Sequence, residues 1–232
     1  MKKTLGDIFK TRIGDILRGF TDRHCHILPG VDDGPRADAD ALAMLREYEN
    51  AGVRSLLLTP HVMEDMPNDT KELRNAFESL KRSYSGNMIL ELASENMLDF
   101  LFERRLQEKD FLTWQGNKLI VETSFYNPPK DLHGTLERIR KAGFTPVLAH
   151  PERYIYMDDD EYTILHQGGV KFQLNVTSFT GYYGDEVRQR AEKLATLGYC
   201  DCAGTDCHKP GEITALKEKY IKSKYADALT GR

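Results

Sequence analysis

With 232 residues, of which 40% are hydrophobic, 9% aromatic and 29% charged, the chain has the composition of a soluble globular protein and the length of one large α/β domain or two small ones. A net charge of −4 provides no sequence-wide basic field, which excludes general affinity for nucleic acid. No apolar run reaches the roughly 18 residues needed to span a bilayer, and charges interrupt every apolar stretch before residue 20; neither a membrane segment nor a signal peptide is expected, and the expected compartment is the cytoplasm.

Residues 3–20 are predicted to form an amphipathic helix. Leu5, Ile8, Phe9, Ile13, Ile16, Leu17 and Phe20 make one stripe, with Lys2, Lys3, Lys10, Arg12 and Arg18 opposite. The helix is expected to pack on the domain, on a second copy in a homo-oligomer, or on a membrane surface. Short apolar runs then alternate with helical patterns. Strands are predicted near 20–26, 53–59, 88–94, 118–123, 145–149, 170–176 and 199–205. Helices are predicted near 37–51, 70–84, 97–108, 131–142, 160–167 and 185–197, with a last helical stretch near 212–228. Seven βα units imply a parallel sheet, and a distorted (β/α)7 TIM-like barrel over residues 21–232 fits best, with residues 1–20 as an added N-terminal helix. A doubly wound open sheet is the alternative, but it would not gather all the strand ends.

Those ends carry the chemistry. The first strand delivers His24 and His26, followed by Asp32-Asp33-Gly34. The next six end at or lead to His61, Glu95, Glu122, His150, Asn175 and Asp206-Cys207-His208. Side chains alternate along a strand, so His24 and His26 share a face, as do Asp206 and His208, while Cys25 and Cys207 turn into packing. In (β/α) barrels the C-terminal rim of the strands holds the active site. Histidine with carboxylate suits Mn²⁺, Fe²⁺ or Zn²⁺ rather than a soft-ligand site. Nine such donors are too many for one ion and fit two or three. Closely spaced cations activate water and stabilise the attacking and leaving oxygens of an in-line displacement, which is phosphoester chemistry. Arg153, just after His150, offers a planar fork for phosphoryl oxygens; its alternative role is an ion pair with Glu152 or another nearby carboxylate. The four cysteines, Cys25, Cys200, Cys202 and Cys207, match no common zinc spacing, and none has an arginine six positions on, so water rather than thiolate is the expected nucleophile. His133 and His166 fall in or beside helices and are expected to be ordinary surface or packing residues.

At these residues the sequence resembles the PHP (polymerase and histidinol phosphatase) superfamily, and more closely the bacterial capsule-biosynthesis protein-tyrosine phosphatases of the CpsB/CapC type. The resemblance rests on the segment from Asp22 to Gly34, on Thr59-Pro60-His61, on Glu95 and Glu122, on Ala149-His150-Pro151-Glu152-Arg153-Tyr154, and on Asp206-Cys207-His208. It implies a site of two to three ions, usually manganese. His24, His26, Glu95 and Asp206 would hold one ion, and Glu95 would bridge to a second on Glu122 and His150. Asp33, His61 and His208 would hold the third, and Arg153 the phosphoryl group. The implied substrate is a phosphotyrosine protein, a membrane-associated tyrosine kinase of polysaccharide export. A second arginine expected after Asp206-Cys207-His208 is missing, where Lys209 stands. Arg23, a charge in an expected buried strand, needs an ion partner or exposure. The alternatives are a small-molecule phosphatase such as one for histidinol phosphate, an amidohydrolase, disfavoured by Glu122 where a lysine is usual, and a non-catalytic binder of the kinase tail.

Overall fold

The computed structural model describes residues 9–231. A six-stranded sheet runs in the order β10 (Cys202–Gly204), β9 (Lys171–Asn175), β8 (Thr145–Ala149), β7 (Lys118–Glu122), β6 (Glu95–Met97), β4 (His61–Val62), and a three-stranded sheet in the order β2 (Thr21–Cys25), β3 (Ser55–Leu58), β5 (Ile89–Leu92). Every pairing within both is parallel. The two sheets meet on both sides. Pro60 bends the chain between β3 and β4, and bonds from Ala93 N–H to Leu58 O and Glu95 N–H to Pro60 O cross the break. On the other side Asp206 N–H donates to His24 O and His26 N–H to Cys207 O, which ties the end of β2 to the segment after β10. The result is one curled parallel sheet with its helices outside.

Alternation along the strands splits the core in two. Leu57, Ile120 and Val147 point inward to a small cluster with Ala93, Trp114 and Ala149. Leu56, Leu58, Leu119, Val121 and Leu148 point outward into the main core, where Leu45 and Tyr48 of the helix Asp38–Asn50 meet them. Each fully buried leucine there contributes about 1.5–3 kcal/mol of transfer free energy. The helices Asp38–Asn50, Thr70–Ser83, Leu132–Lys141, Asp159–Gln167 and Asp185–Thr196 fall where the periodicity predicts them. The helix expected from 97 begins at Phe100 instead, because β6 takes Glu95–Met97 and Asp99 caps the first turn, accepting from Phe102 N–H.

Two expectations fail together. The helix predicted over 3–20 lies outside the described residues as far as Ile8. Lys10–Arg12 is a strand, β1, and only Ile13–Leu17 is helical. The helix predicted over 212–228 breaks into Glu212–Leu216, a strand β11 at Tyr220–Lys222, and Ala226–Thr230. β1 and β11 pair antiparallel, Thr11 opposite Ile221. Long-range pairing of β-prone residues has overridden helical periodicity at both ends. Ile13, Ile16, Leu17 and Phe20 are buried as the stripe requires, but Phe9 is 61% exposed.

Candidate metal centre

The cluster begins with an irregularity. Asp22 pairs with Leu56 and Cys25 with Leu58, so β2 holds one extra residue and bulges between them. The bulge puts Arg23 inside the curled sheet, with its guanidinium 4.6 Å from the ring centre of Trp114 and 4.0 Å from Glu91 Oε2. That contact accounts for a charge in this strand. Asp22, wholly buried, accepts from His24 N–H and Thr205 N–H on one oxygen and from Thr205 Oγ–H on the other. It fastens the bulge to the end of β10. Gly204 is obligatory beside it, because a Cβ there would lie 2.4 Å from His24 Cβ.

His24 and His26 are buried, with their Nε2 atoms 3.0 Å apart. Each Nδ1 has an outer partner, His24 with Gln173 Oε1 at 2.7 Å and His26 with Asp32 Oδ2 at 2.9 Å. Both outer atoms only accept, so each Nδ1 carries the proton and both Nε2 lone pairs face the same point. Around it stand Glu95 Oε2, 3.2 Å from His24 Nε2 and 3.4 Å from His26 Nε2, and Asp206 Oδ1, 3.5 Å from each. His150 Nε2 lies 2.9 Å from the other oxygen of Glu95. His61 stands between two groups: Nδ1 is 3.1 Å from Glu95 and 3.0 Å from Glu122, and Nε2 is 3.6 Å from Asp33. Asp33, the exposed member, is 3.3 Å from His208 Nε2, and the His208 ring stacks on His26. All nine residues expected from the sequence fall into four overlapping groups with ligand atoms close enough to share an ion: His26, Asp33, His61 and His208; His24, Glu95 and His150; His24, His26 and Asp206; His61, Glu95 and Glu122. None contains a cysteine.

The donor set fits divalent cations. His150 Nδ1 is buried with no hydrogen-bond partner, and His61 Nδ1, although 3.1 Å from Glu95 Oε2 and 3.0 Å from Glu122 Oε1, makes no well-aligned hydrogen bond with either, a costly state for buried polar atoms that a bound cation would relieve. Electrostatics point the same way. Burial disfavours charge on His24, but Glu95 and Asp206 outweigh it and push its pKa up to about 9. At His61, burial is likewise outweighed, chiefly by Glu95 and Glu122, and the pKa rises to about 12. Burial opposes charge on Asp206 as well, but His24, His150 and His26 draw its pKa down to about 2. The carboxylates thus hold cationic charge in this space whatever its source. Two residues of the cluster also have left-handed backbone, His150 at φ 35° and Asp206 at φ 58°, a strain that tends to gather at functional sites.

Arg153 does line the cleft above these groups. Its partner is Asp206, not Glu152: Nη1 donates to Asp206 Oδ2 at 2.8 Å, and the guanidinium sits 4.1 Å from the ring centre of Phe125 and 4.3 Å from that of Tyr183. Glu152 is buried and accepts from Asn175 N–H and Ser178 Oγ–H. Lys209 is at the cleft edge, and no second arginine lines it among the described residues. His133 and His166 are elsewhere, paired with Glu161 and Asp201.

Of the outer ring, sequence reasoning named Asn175 as a strand end and Asp32 beside Asp33 without giving either a supporting role, and missed Gln173. Gln173 bridges His24 to Asn175, whose Nδ2 donates to Asp206 Oδ2. Polar residues at alternate positions of an apolar strand, Gln173 and Asn175 alternating with Phe172 and Leu174, are the signal that could have revealed it. Asp32 serves the same purpose: it holds His26 and accepts from Gly34 N–H and His61 N–H, while its neighbour Asp33 faces the histidines.

Comparison with known proteins places the chain as follows. Residues 20–230 match the family model described as capsular polysaccharide synthesis, CpsB/CapC. The tyrosine-protein phosphatase YwqE of Bacillus subtilis is 26% identical over 194 residues, 81% of this chain and 76% of that protein. The tyrosine-protein phosphatase CpsB of Streptococcus pneumoniae is 28% identical over 200 residues, 81% and 82% of the two chains. A chain from the crystal structures of YwqE and CpsB, metal-dependent tyrosine phosphatases, superposes with TM-score 0.76 at 23% identity over 89% of this chain and 84% of that one. That last likeness carries the fold.

Proposed function

From the premise that this chain belongs to the capsular polysaccharide synthesis CpsB/CapC family, we propose that it is a metal-dependent protein-tyrosine phosphatase whose substrate is the phosphotyrosine of a membrane-associated tyrosine kinase of polysaccharide export. The observation that carries the reading is the convergence of nine imidazole and carboxylate residues at one end of the sheet, four of them with a buried polar atom that makes no hydrogen bond. β3 with β4, and β5 with β6, each count as one bent strand, which makes the catalytic unit of residues 21–232 a distorted (β/α)7 barrel. Manganese suits the ligands. His24, His26, Glu95 and Asp206 would hold one ion, Glu95, Glu122 and His150 a second, and Asp33, His61 and His208 a third, with His61 between the last two.

Such ions, when bound, activate water and neutralise charge on oxygens around phosphorus. The protein's own groups do the rest. Asp32 and Gln173 fix the tautomers of His26 and His24, so that Nε2 is the ligating atom in each. Asn175 holds Asp206. Arg153, boxed by Phe125 and Tyr183, presents a planar fork at the cleft for two phosphoryl oxygens. A phenolate leaves with a pKa of about 10, so a strong general acid is less needed than for an alkyl ester. Burial pushes the thiols of Cys25 and Cys207 well above their ordinary pKa, which disfavours a thiolate nucleophile. The test is hydrolysis of a phosphotyrosine peptide by chelator-stripped protein with and without Mn²⁺. Turnover restored by metal is expected. No turnover with Mn²⁺, Fe²⁺ or Zn²⁺ overturns the reading.

A further inference from the structure

The cleft over the cluster is lined unevenly. After β2 and β10 its rim is polar, with Asp33, His208 and Lys209. After β4 and at β6 it is methionine: Met63, Met66 and Met97, all half-buried. The chain has seven methionines; Met44, Met88 and Met157 are buried in the core, so these three are set apart from packing and face one cleft.

Met63 and Met66 exchange both backbone hydrogen bonds, at 3.1 and 3.0 Å, and form a tight antiparallel bridge with Glu64 and Asp65 at its tip. Bridge partners place their side chains on the same side, so the two thioethers lie together. The hairpin is pinned. Glu64 N–H donates to Asp99 Oδ2 at 2.7 Å, and Asn68 Nδ2 donates to Val31 O at 2.8 Å and His61 O at 2.7 Å. The methionine pair and the metal-type residue His61 therefore form one fixed unit.

A phosphoryl group held by Arg153 and the cluster leaves the organic part of an ester to run along the rim. Thioethers are apolar and polarizable, and favour contact with aromatic rings. We infer that Met63, Met66 and Met97 form a leaving-group subsite for an aromatic ring, so that the cleft selects aryl over alkyl phosphates by contact. This rests on the phosphatase reading above. The aromatic rings on the rim extend the same surface: Phe125 follows β7, and Tyr182 is 71% exposed.

The test is calorimetric binding of phenylphosphonate and methylphosphonate, neither hydrolysable, to the Mn²⁺-loaded protein. Wild type should favour phenylphosphonate about tenfold or more, and the Met63→Ala, Met66→Ala double variant should narrow that preference to about twofold with methylphosphonate affinity unchanged. The volume-conserving Met63→Leu, Met66→Leu pair should keep a preference of about fivefold, and Met97→Ala should lower it about threefold; these two variants carry the test if the double alanine variant does not fold. Equal affinities in wild type, or an undiminished preference in the alanine variants, overturn the inference while leaving the phosphatase reading intact. Wild-type protein that binds neither phosphonate overturns both.

Discussion

The two ends of the curled sheet handle buried charge in opposite ways. At the N-terminal end Arg23 lies over Trp114 with Glu91 nearby, and Lys118 Nζ lies 4.4 Å from the same ring and donates to Gln115. Cations there meet a π face and polar partners. At the C-terminal end carboxylates and imidazoles face one another, four buried polar atoms of the cluster make no well-aligned hydrogen bond, and His24 and His61 are pushed toward the protonated state. One end meets its cations with its own side chains, although Trp114 Nε1 is left without a hydrogen-bond partner; the other gathers carboxylates that can take up a cation. Burial of charge alone is therefore a poor guide to function, and what separates the two ends is whether the partners are already present.

The sharpest way to break the comparison is to remove the lone pairs that converge. The His24→Ala, His26→Ala variant should lose turnover by roughly a thousandfold or more, as expected when several kcal/mol of charge stabilisation is withdrawn. Bound metal measured by elemental analysis should fall with it. Retained activity would move the site elsewhere.

A smaller effect tests the outer ring. Asp32→Ala and Gln173→Ala each leave the ligands in place but free a tautomer, and each should weaken Mn²⁺ binding or turnover about 10–100-fold. Equal activity to wild type would reduce these residues to packing. Gly204→Ala belongs beside them, since its new Cβ must displace His24; the variant should lose Mn²⁺ while its circular dichroism remains that of the native fold.

How far the site was legible follows from which physics made it. Period-two alternation and the habit of parallel sheets to present function at their C-terminal ends are local and regular, so His24, His26, His61, Glu95, Glu122, His150, Asp206 and His208 could be read from spacing. Asp33 over Asp32 could be expected only from its distance to the histidine pair. The bulge in β2 was not legible, because it depends on how Asp22 meets Thr205 some 180 residues away. From the sequence Arg23 could be said only to need an ion partner or exposure, and the structure gives it Glu91 and partial exposure. The β1–β11 pairing was hidden for the same reason: residues 10–12 and 220–222 have helical periodicity within their own windows, and only their mutual contact makes them strands.

Protonation offers a third probe. The folded pKa of His24, about 9, stands above its ordinary value of about 6.5. The stability this contributes is fully present below about pH 6.5 and is lost as pH rises through about 9. Metal-free protein should therefore melt at progressively lower temperature across that window, as followed by circular dichroism. Ligation needs neutral imidazoles, so the rise in melting temperature on adding Mn²⁺ should grow over the same range. A Mn²⁺ effect that is flat in pH would mean that His24 does not ligate.

The smallest expected effect lies at the opposite end of the sheet and decides whether the comparison holds. Arg23 is adjacent in sequence to His24, so a reading by proximity would give it a part in the site. The geometry gives it none, because its guanidinium contacts Trp114 and Glu91 rather than any residue of the histidine–carboxylate cluster. Arg23→Ala should cost about 0.5–2 kcal/mol through the lost cation–π contact and stem packing, seen as a lower urea midpoint. Bound Mn²⁺ and the kcat/KM for a phosphotyrosine peptide should stay within about twofold of wild type, since less than 0.5 kcal/mol would then reach the transition state. A larger loss would show that the bulge transmits strain from Arg23 to His24, and the two ends of the sheet would be one coupled system instead of two independent solutions to burying charge.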